Sequence, residues 1–223
     1  MANRPFFIPT QDQKKFVKRE TVDFQWFSGF AKSQKQKSIT SFHENIFKKF
    51  KIKKVLEVST KSRDIIGIKL SAFNLKIKIK DQEYFLESLF QGSKVFLDMG
   101  PHEDIYEKKS IDAKTDERIK RNDMKEFSFF GEKIPLDFDF YSWLYFIALN
   151  QNKDLANEII NYEAFTDIEF NPEKSINCQA YSAALYCSMI KNNLLSIKKE
   201  YTNDNLKKLI PLKKYDNFQQ KLI

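Results

Sequence analysis

The period of the hydrophobic pattern changes at residue 82, and no other feature of the sequence limits the fold as much. Before it, LKIKIK (75–80) alternates Leu75, Ile77 and Ile79 with Lys76, Lys78 and Lys80, giving a strand with one apolar and one lysine face. KVLEVSTKS (54–62) and GIKLSAF (67–73) also read as strands, and VDFQWFSGF (22–30) as extended and aromatic. Between these, Ile39, Phe42, Ile46 and Phe50 recur at helical spacing, which predicts a helix over 31–50. After residue 82 the spacing predicts helices over 83–98, 110–121, 139–160, 176–198 and 203–210, the last stopping before Pro211. Asn171-Pro172 breaks the chain, and Ser175 is the predicted N-cap of the helix that follows. A few strands followed by mostly helices predict an α+β fold: one mostly helical domain with a small β-sheet. No repeat or low-complexity linker divides the 223 residues. That length suits one domain burying roughly 70% of its unfolded surface.

Composition removes several function classes. With 42% hydrophobic residues, including 22 Phe and 9 Tyr, the chain has ample core and no disorder signature. The net charge of +8 permits an anionic partner, but only Arg4, Arg19, Arg63, Arg118 and Arg121 are arginines. Lysine neutralises phosphate without the bidentate fork that reads bases. Cys178 and Cys187 stand alone, and the only histidines are His43 and His102, so neither a disulfide framework nor a metal site is expected. His43 lies in a predicted helix, where such a residue usually packs or faces solvent. Five glycines leave no Walker loop and no GxGxxG turn, and no cofactor is expected. YSWLYFIAL (141–149) is too short to span a bilayer, and MANRPFFIPTQDQKK lacks a signal-peptide apolar region, so a soluble cytoplasmic protein is expected.

Four stretches combine polar residues in ways a core does not require. In ESLFQGSKVF (87–96), helical spacing sets Glu87, Gln91 and Lys94 on one stripe, opposite Phe85, Leu89 and Phe96. Gly92, in mid-helix, hints at a close backbone approach. The stripe is either a solvated polar face or a carboxylate, an amide and an amine set to handle a polar substrate. SIDAKTDERIK (110–120) places Lys114 and Arg118 about one turn apart, either as a two-cation phosphate claw or as partners of Asp112, Asp116 and Glu117. PLDFDFYSW (135–143) interleaves Asp137 and Asp139 with aromatics at a helix start. FTDIEFNPEKSINCQA (165–180) carries Asp167, Glu169, Asn177 and Gln179 through a loop into a helix, as a site or as turn chemistry.

The order of these stretches resembles the NADAR (YbiA-like) family. Its series of LSNF, EHxFQxxKF, AKxxGR, a Trp-containing helix, DxxWG and GxNxLG is matched here by LSAF (70–73), ESLFQGSKVF, AKTDER (113–118), DFDFYSWLYFIAL (137–149), DIEFN (167–171) and NCQA (177–180). Ala72 stands for the Asn of LSNF, Glu117 for the Gly before Arg118, and Phe170-Asn171 for Trp-Gly. The family tryptophan corresponds either to Phe138 by register or to Trp143 by residue type. RPFFIP, FQWFSGFAKSQKQKSI (24–39), LEVSTKS (56–62) and FTDIEFNPEKSINCQA (165–180) are similar to the branch found beside DarT-type DNA ADP-ribosyltransferase toxins. The resemblance implies a NADAR-like domain over 1–223, with a branch-specific part at 1–66, a family core at 67–190 and an extension at 191–223. It also implies an antitoxin that pairs with a DarT-like toxin and removes ADP-ribose from guanine bases of DNA.

Breaking that C–N bond passes through an oxocarbenium-like state, which needs negative charge at the sugar, a proton for the leaving nitrogen and cations for the pyrophosphate. Glu87, Lys94 and Asp167 are the candidate catalytic residues. Glu87 would serve as acid, base or stabilising carboxylate, and Asp167 would hold ribose hydroxyls or water. Lys94 would either neutralise phosphate or attack the anomeric carbon and pass through a Schiff base. Ser71, Phe73, Phe90, Gln91, Lys114, Arg118, Phe138, Trp143, Phe170 and Asn177 are the candidate ADP-ribose-binding residues, with no metal. Two other readings stand beside this one: an N-glycosidase for a small phosphorylated metabolite, and a non-catalytic protein that binds ADP-ribosylated DNA or sequesters a toxin.

Overall fold

A computed structural model describes residues 1–29, 31–171 and 178–211. Helix and strand are mixed, and among the described residues the strands form three small sheets of four, two and three strands, where the sequence predicted one small sheet. The chain divides into two compact units, Met1–Ser71 with Asn152–Glu200, and Ala72–Gln151 with Tyr201–Ile223.

The first unit is built on a four-stranded sheet in which β2 (Val17–Phe24), β1 (Ala2–Pro9), β9 (Ala164–Thr166) and β3 (Val55–Glu57) are neighbours in that order. Strands β1 (Ala2–Pro9) and β2 (Val17–Phe24) pair antiparallel along their whole length, a hairpin the sequence reading missed because Pro5 and Pro9 discourage a strand assignment. Strand β3 (Val55–Glu57) runs parallel to β9 (Ala164–Thr166) in the register Val55↔Ala164 and Glu57↔Thr166. Helix α1 (Lys32–Phe50) buries Ile39, Phe42 and Ile46, the stripe its spacing predicted, against Phe6, Val22, Phe24 and Ile168. The strand predicted over 67–73 is instead the end of helix α2 (Ile65–Lys69) and a turn. Ile66 in α2 and Leu70 at its C-cap, four apart, are both buried, so an apparent alternation concealed a helical pair. A Cβ at Gly67 would lie 2.1 Å from the Glu57 carbonyl oxygen, so only glycine lets α2 lie this close to the end of β3. Helices α6 (Lys153–Ile159) and α7 (Gln179–Lys191) complete the unit. Ser175, the predicted cap, lies outside the described residues.

In the second unit, β4 (Lys76–Ile79) keeps the predicted alternation, with Ile77 buried and Lys76 and Lys78 exposed. The helix predicted over 83–98 resolves into three elements: β5 (Gln82–Phe85), helix α3 (Leu86–Gly92) and β6 (Lys94–Phe96). Strand β5 folds back on β4, with Ile79 opposite Gln82 and Lys80 at φ 55° in the turn. Strand β6 pairs with β7 (Met124–Phe129), which joins β8 (Glu132–Ile134) through a two-residue turn. That turn is Phe130-Gly131, both at positive φ, and the x-Gly pair between alternating Phe127, Phe129 and Ile134 was its readable signal. Helix α4 (Ser110–Thr115) is shorter than predicted. Helix α5 (Phe140–Gln151) is buried from Phe140 to Leu149, as an apolar run of that length inside a unit must be, and α8 (Asn203–Leu209) meets it. No helix among the described residues is long and apolar enough to cross a membrane.

Candidate functional site

Helix α3 has no solvated face. Every residue from Leu86 to Gly92 is buried, with Glu87 5% and Gln91 7% exposed, which overturns the reading of this stripe as a solvent-facing edge. Main-chain bonds fix where the helix starts: the Leu86 N–H donates to the Leu75 carbonyl at 2.9 Å and the Glu87 N–H to the Ala72 carbonyl at 3.1 Å. Ser88 Oγ donates to the Lys108 carbonyl at 2.8 Å, and Ser110 Oγ to the Phe73 carbonyl at 2.9 Å. At the other end, a Cβ on Gly92 would lie 2.7 Å from the Tyr106 ring and 2.8 Å from the His102 carbonyl oxygen. The glycine is there because another segment passes against the helix.

Gln91 Nε2 donates to Glu87 Oε1 at 2.9 Å, four residues back along α3. The other end of that amide, Gln91 Oε1, is buried and accepts no hydrogen bond among the described residues. An unmet acceptor in a buried place costs about 1–3 kcal/mol, and in native proteins such an atom calls for a reason.

Lys94 lies not on α3 but on β6, because the helix ends at Gly92. The expected separation of two helical turns from Glu87 therefore does not apply. Its ammonium sits 5.5 Å over the Phe90 ring and has no carboxylate within salt-bridge reach among the described residues. Burial pushes the Lys94 pKa down to about 8; Glu87 opposes that shift and the Lys114 charge adds to it. Lys114 is exposed on α4, 5.1 Å over the half-buried Phe73 ring. The second unit thus gathers Glu87, Gln91, Lys94 and Lys114, with Phe90 and Phe73 beneath the two amines.

Other predicted residues of this unit are committed elsewhere. Arg118 is not half of a free phosphate claw. Its guanidinium forks onto Asp104 at 3.1 and 2.7 Å and onto Asp116 at 3.0 and 2.9 Å, and Lys108 joins Asp116 at 2.7 Å. These cations hold the Asp116 carboxyl well below the usual range. Trp143 is 1% exposed, donates Nε1–H to the Asn203 carbonyl at 3.0 Å and meets Phe129 edge-on. It is core, so the aromatic-helix motif does not put this ring over a ligand. Phe138 packs against Trp143 and is itself buried. Phe90 is locked among Phe127, Phe140 and Tyr141, which makes it a platform for Lys94 rather than an open stacking face.

In the first unit, Ser71 is buried at the turn after α2, and Asp167 follows β9 directly, 8% exposed. Asp167 Oδ1 accepts the Glu169 N–H at 3.0 Å, and the Phe170 N–H returns to the Asp167 carbonyl at 3.2 Å. Phe170 is buried. Asn177 lies outside the described residues. Beside Asp167 stands a group the sequence reading passed over. Glu57 is 1% exposed; its Oε1 accepts Ser59 Oγ–H at 2.6 Å and the Ile168 N–H at 2.8 Å, and its Oε2 accepts Thr166 Oγ1–H at 2.7 Å. His43 Nε2 is 2.8 Å from Thr166 Oγ1. Burial raises the Glu57 pKa, against the pull of those hydrogen bonds, and lowers that of His43 to about 4. The available signal was a lone acid between Leu56 and Val58, both buried. Lys35, also on α1, reaches Glu169 at 3.4 Å and lies 4.6 Å over Trp26.

No group of three His, Cys, Asp or Glu among the described residues is placed to hold a metal ion. A family model described as "DarT1-associated NADAR antitoxin" matches residues 2–219. No curated protein matches the chain.

Proposed function

The chain belongs to the DarT1-associated NADAR antitoxin family, and on that premise we propose that it removes ADP-ribose from guanine bases of DNA by hydrolysing the N-glycosidic bond. It would thereby reverse, in the cytoplasm, the modification made by a DarT-like toxin, with residues 1–223 acting as one NADAR-like domain. The observation that carries this reading is the proximity of a buried carboxylate, Glu87, to an amine, Lys94, that has no carboxylate within salt-bridge reach among the described residues and has its pKa lowered to about 8. Such a pair is costly to keep in a core and useful for glycoside chemistry.

In this reading Glu87 supplies negative charge to the oxocarbenium-like sugar or a proton to the departing base nitrogen. Gln91 Oε1, unmet among the described residues, accepts a ribose hydroxyl. Lys94, as free amine, forms a bond to the anomeric carbon while the bond to the base nitrogen breaks. Opening of the ribose ring leaves a Schiff base, and water then releases ADP-ribose and returns the lysine. At pH 7 a pKa of about 8 provides roughly 300-fold more free amine than one of 10.5. Lys114 meets pyrophosphate, and Asp167 holds ribose hydroxyls, a role that rests on its motif match. Lys48, Lys49, Lys51, Lys53 and Lys54 are all exposed around the end of α1 and suit a DNA backbone, so binding should weaken as salt rises.

The test is a guanine-ADP-ribosylated oligonucleotide incubated with wild type and with Glu87→Gln. Release of ADP-ribose by wild type alone supports the reading. Binding by both without release would leave a protein that reads the modified DNA or sequesters the toxin.

A further inference from the structure

We infer that Glu57 is the positioning residue of Asp167, a bridge that grips the main chain on both sides of that carboxylate; the inference rests on the proposed role of Asp167 at ribose. Asp167 is preceded by Thr166 and followed by Ile168. Glu57 binds both neighbours: Oε2 takes the Thr166 hydroxyl at 2.7 Å and Oε1 takes the Ile168 N–H at 2.8 Å. The Val58 N–H donates to the Thr166 carbonyl at 2.8 Å, so the main chain just past β3 holds the same point. Residue 167 is left with little freedom to rotate about its own backbone.

A carboxylate suits this task because its two oxygens face two different residues at once. Its location argues that the task matters. Glu57 is 1% exposed, and all its hydrogen-bond partners are neutral: Ser59, Thr166 and the Ile168 amide. An apolar side chain would be the cheaper occupant of such a place.

The proton count extends the bridge to α1. The single hydroxyl proton of Thr166 goes to Glu57, so its oxygen receives one from His43 Nε2–H, 2.8 Å away. Lys35, eight residues before His43 on α1, reaches Glu169. The branch-specific helix thus supports the Asp167 segment at Thr166 and at Glu169, and Glu57 supports it in between.

This arrangement separates positioning from proton transfer. In Glu57→Gln, the amide oxygen can accept Ser59 and Ile168, and the NH₂ can donate to Thr166, whose hydroxyl then turns to a His43 tautomer that accepts it. All three partners of residue 57 keep a hydrogen bond and the bridge remains. Glu57→Ala removes it. The experiment measures ADP-ribose release from the modified oligonucleotide by wild type, Glu57→Gln, Glu57→Ala, Thr166→Val, Asp167→Asn and the Glu57→Ala/Asp167→Asn double variant, with a thermal melt of each. Asp167→Asn should lose about 10²-fold in kcat/KM, and Glu57→Ala a comparable factor, since small misplacements of this kind cost that much. Glu57→Gln should stay within about threefold of wild type and Thr166→Val should fall between, which keeps the test intact if the alanine variant does not fold. The double variant should be no slower than the worse single one, whereas independent effects would multiply. Glutamine failing as badly as alanine, or multiplying losses in the double variant, would overturn the bridge while leaving Asp167 in its role. Full activity in Asp167→Asn, or none in wild type, would instead remove the reading beneath it.

Discussion

Glu57 and Glu87 are both buried glutamates at the end of a short element, yet they keep opposite company. Glu57 receives three hydrogen bonds from neutral donors. Among the described residues Glu87 receives one, from an amide whose own oxygen is left unmet there, and it shares its surroundings with the ammonium of Lys94. A buried polar group with its full set of partners is doing structural work. One with a partial set, beside a second such group, is waiting for a ligand. In the proposed reading the first unit's acid positions and the second's does chemistry, and that contrast can be broken at either end.

The largest effect should come from the under-partnered acid. Glu87→Gln is expected to reduce turnover about 10²–10⁴-fold. Its melting temperature should be no lower than wild type, because an amide is cheaper than a carboxylate to bury. The same exchange at residue 57 should be nearly silent in turnover. If the two glutamines give equal losses, hydrogen-bond saturation does not separate the two roles.

The alanine at residue 57 inverts the order. Glu57→Ala strands the Thr166 and Ser59 hydroxyls and the Ile168 N–H in a dry place, at about 1–3 kcal/mol for each group left unmet, so a total loss of about 2–3 kcal/mol after local relaxation is expected. Denaturant unfolding reads this directly. Glu87→Ala should cost less, because only the Gln91 amide loses a partner. A larger loss at residue 87 would mean that the acid of α3 holds the fold together and that the contrast was drawn the wrong way round.

How much of this was legible from the residues divides along the same line. The α1 stripe of Ile39, Phe42 and Ile46 and the alternation of β4 could be read because each is local and one-sided. The β7–β8 hairpin announced itself only by Gly131 after Phe130, and the β1–β2 hairpin was hidden by its prolines. Glu87, Gln91 and Lys94 were found by motif order, but not that the first two are buried, nor that Lys94 leaves the helix. That exit depends on the segment of His102 and Tyr106 crowding Gly92. Of the two readings of Arg118, pairing with Asp116 was local enough to be seen, whereas its second partner, Asp104, lies fourteen residues upstream and was not. Glu57 was missed because the group that explains it, Thr166, is 109 residues away. Pairings of that range come from parallel strand register, which no local period encodes.

Lys94 sharpens the chemical end of the comparison. With a pKa of about 8, its free-amine fraction rises about tenfold between pH 7 and pH 9, and the rate should rise with it and level off above pH 8. A rate that falls through the same range would make the ammonium form the working one, a phosphate ligand rather than a nucleophile. Borohydride added during turnover reduces a Schiff base to a stable amine, so the expected result is an ADP-ribose-derived adduct on Lys94. Its absence alongside a falling profile would assign the lysine to pyrophosphate.

The smallest effect belongs to His43, and it tests the structural end. Its pKa is lowered from 6.5 to about 4 by burial, so the fold holds it neutral while the unfolded chain protonates it. The stability it contributes is therefore complete above pH 6.5 and declines as pH falls toward 4. Glu57, whose pKa burial raises above its ordinary 4.5, acts in the opposite sense: its ionisation destabilises the fold, so acidification restores stability. The two slopes meet at Thr166, which has one proton to give to either side. Between pH 6.5 and 5, above the range where Asp116 and Asp104 are protonated, wild type should lose stability on acidification. His43→Gln, which still offers an N–H to Thr166, should remove that loss and leave a flat or slightly rising line. Denaturant midpoints at pH 6.5 and 5 for the two proteins decide it. Parallel slopes would mean that His43 titrates as an ordinary surface imidazole, with no part in the bridge that holds Asp167.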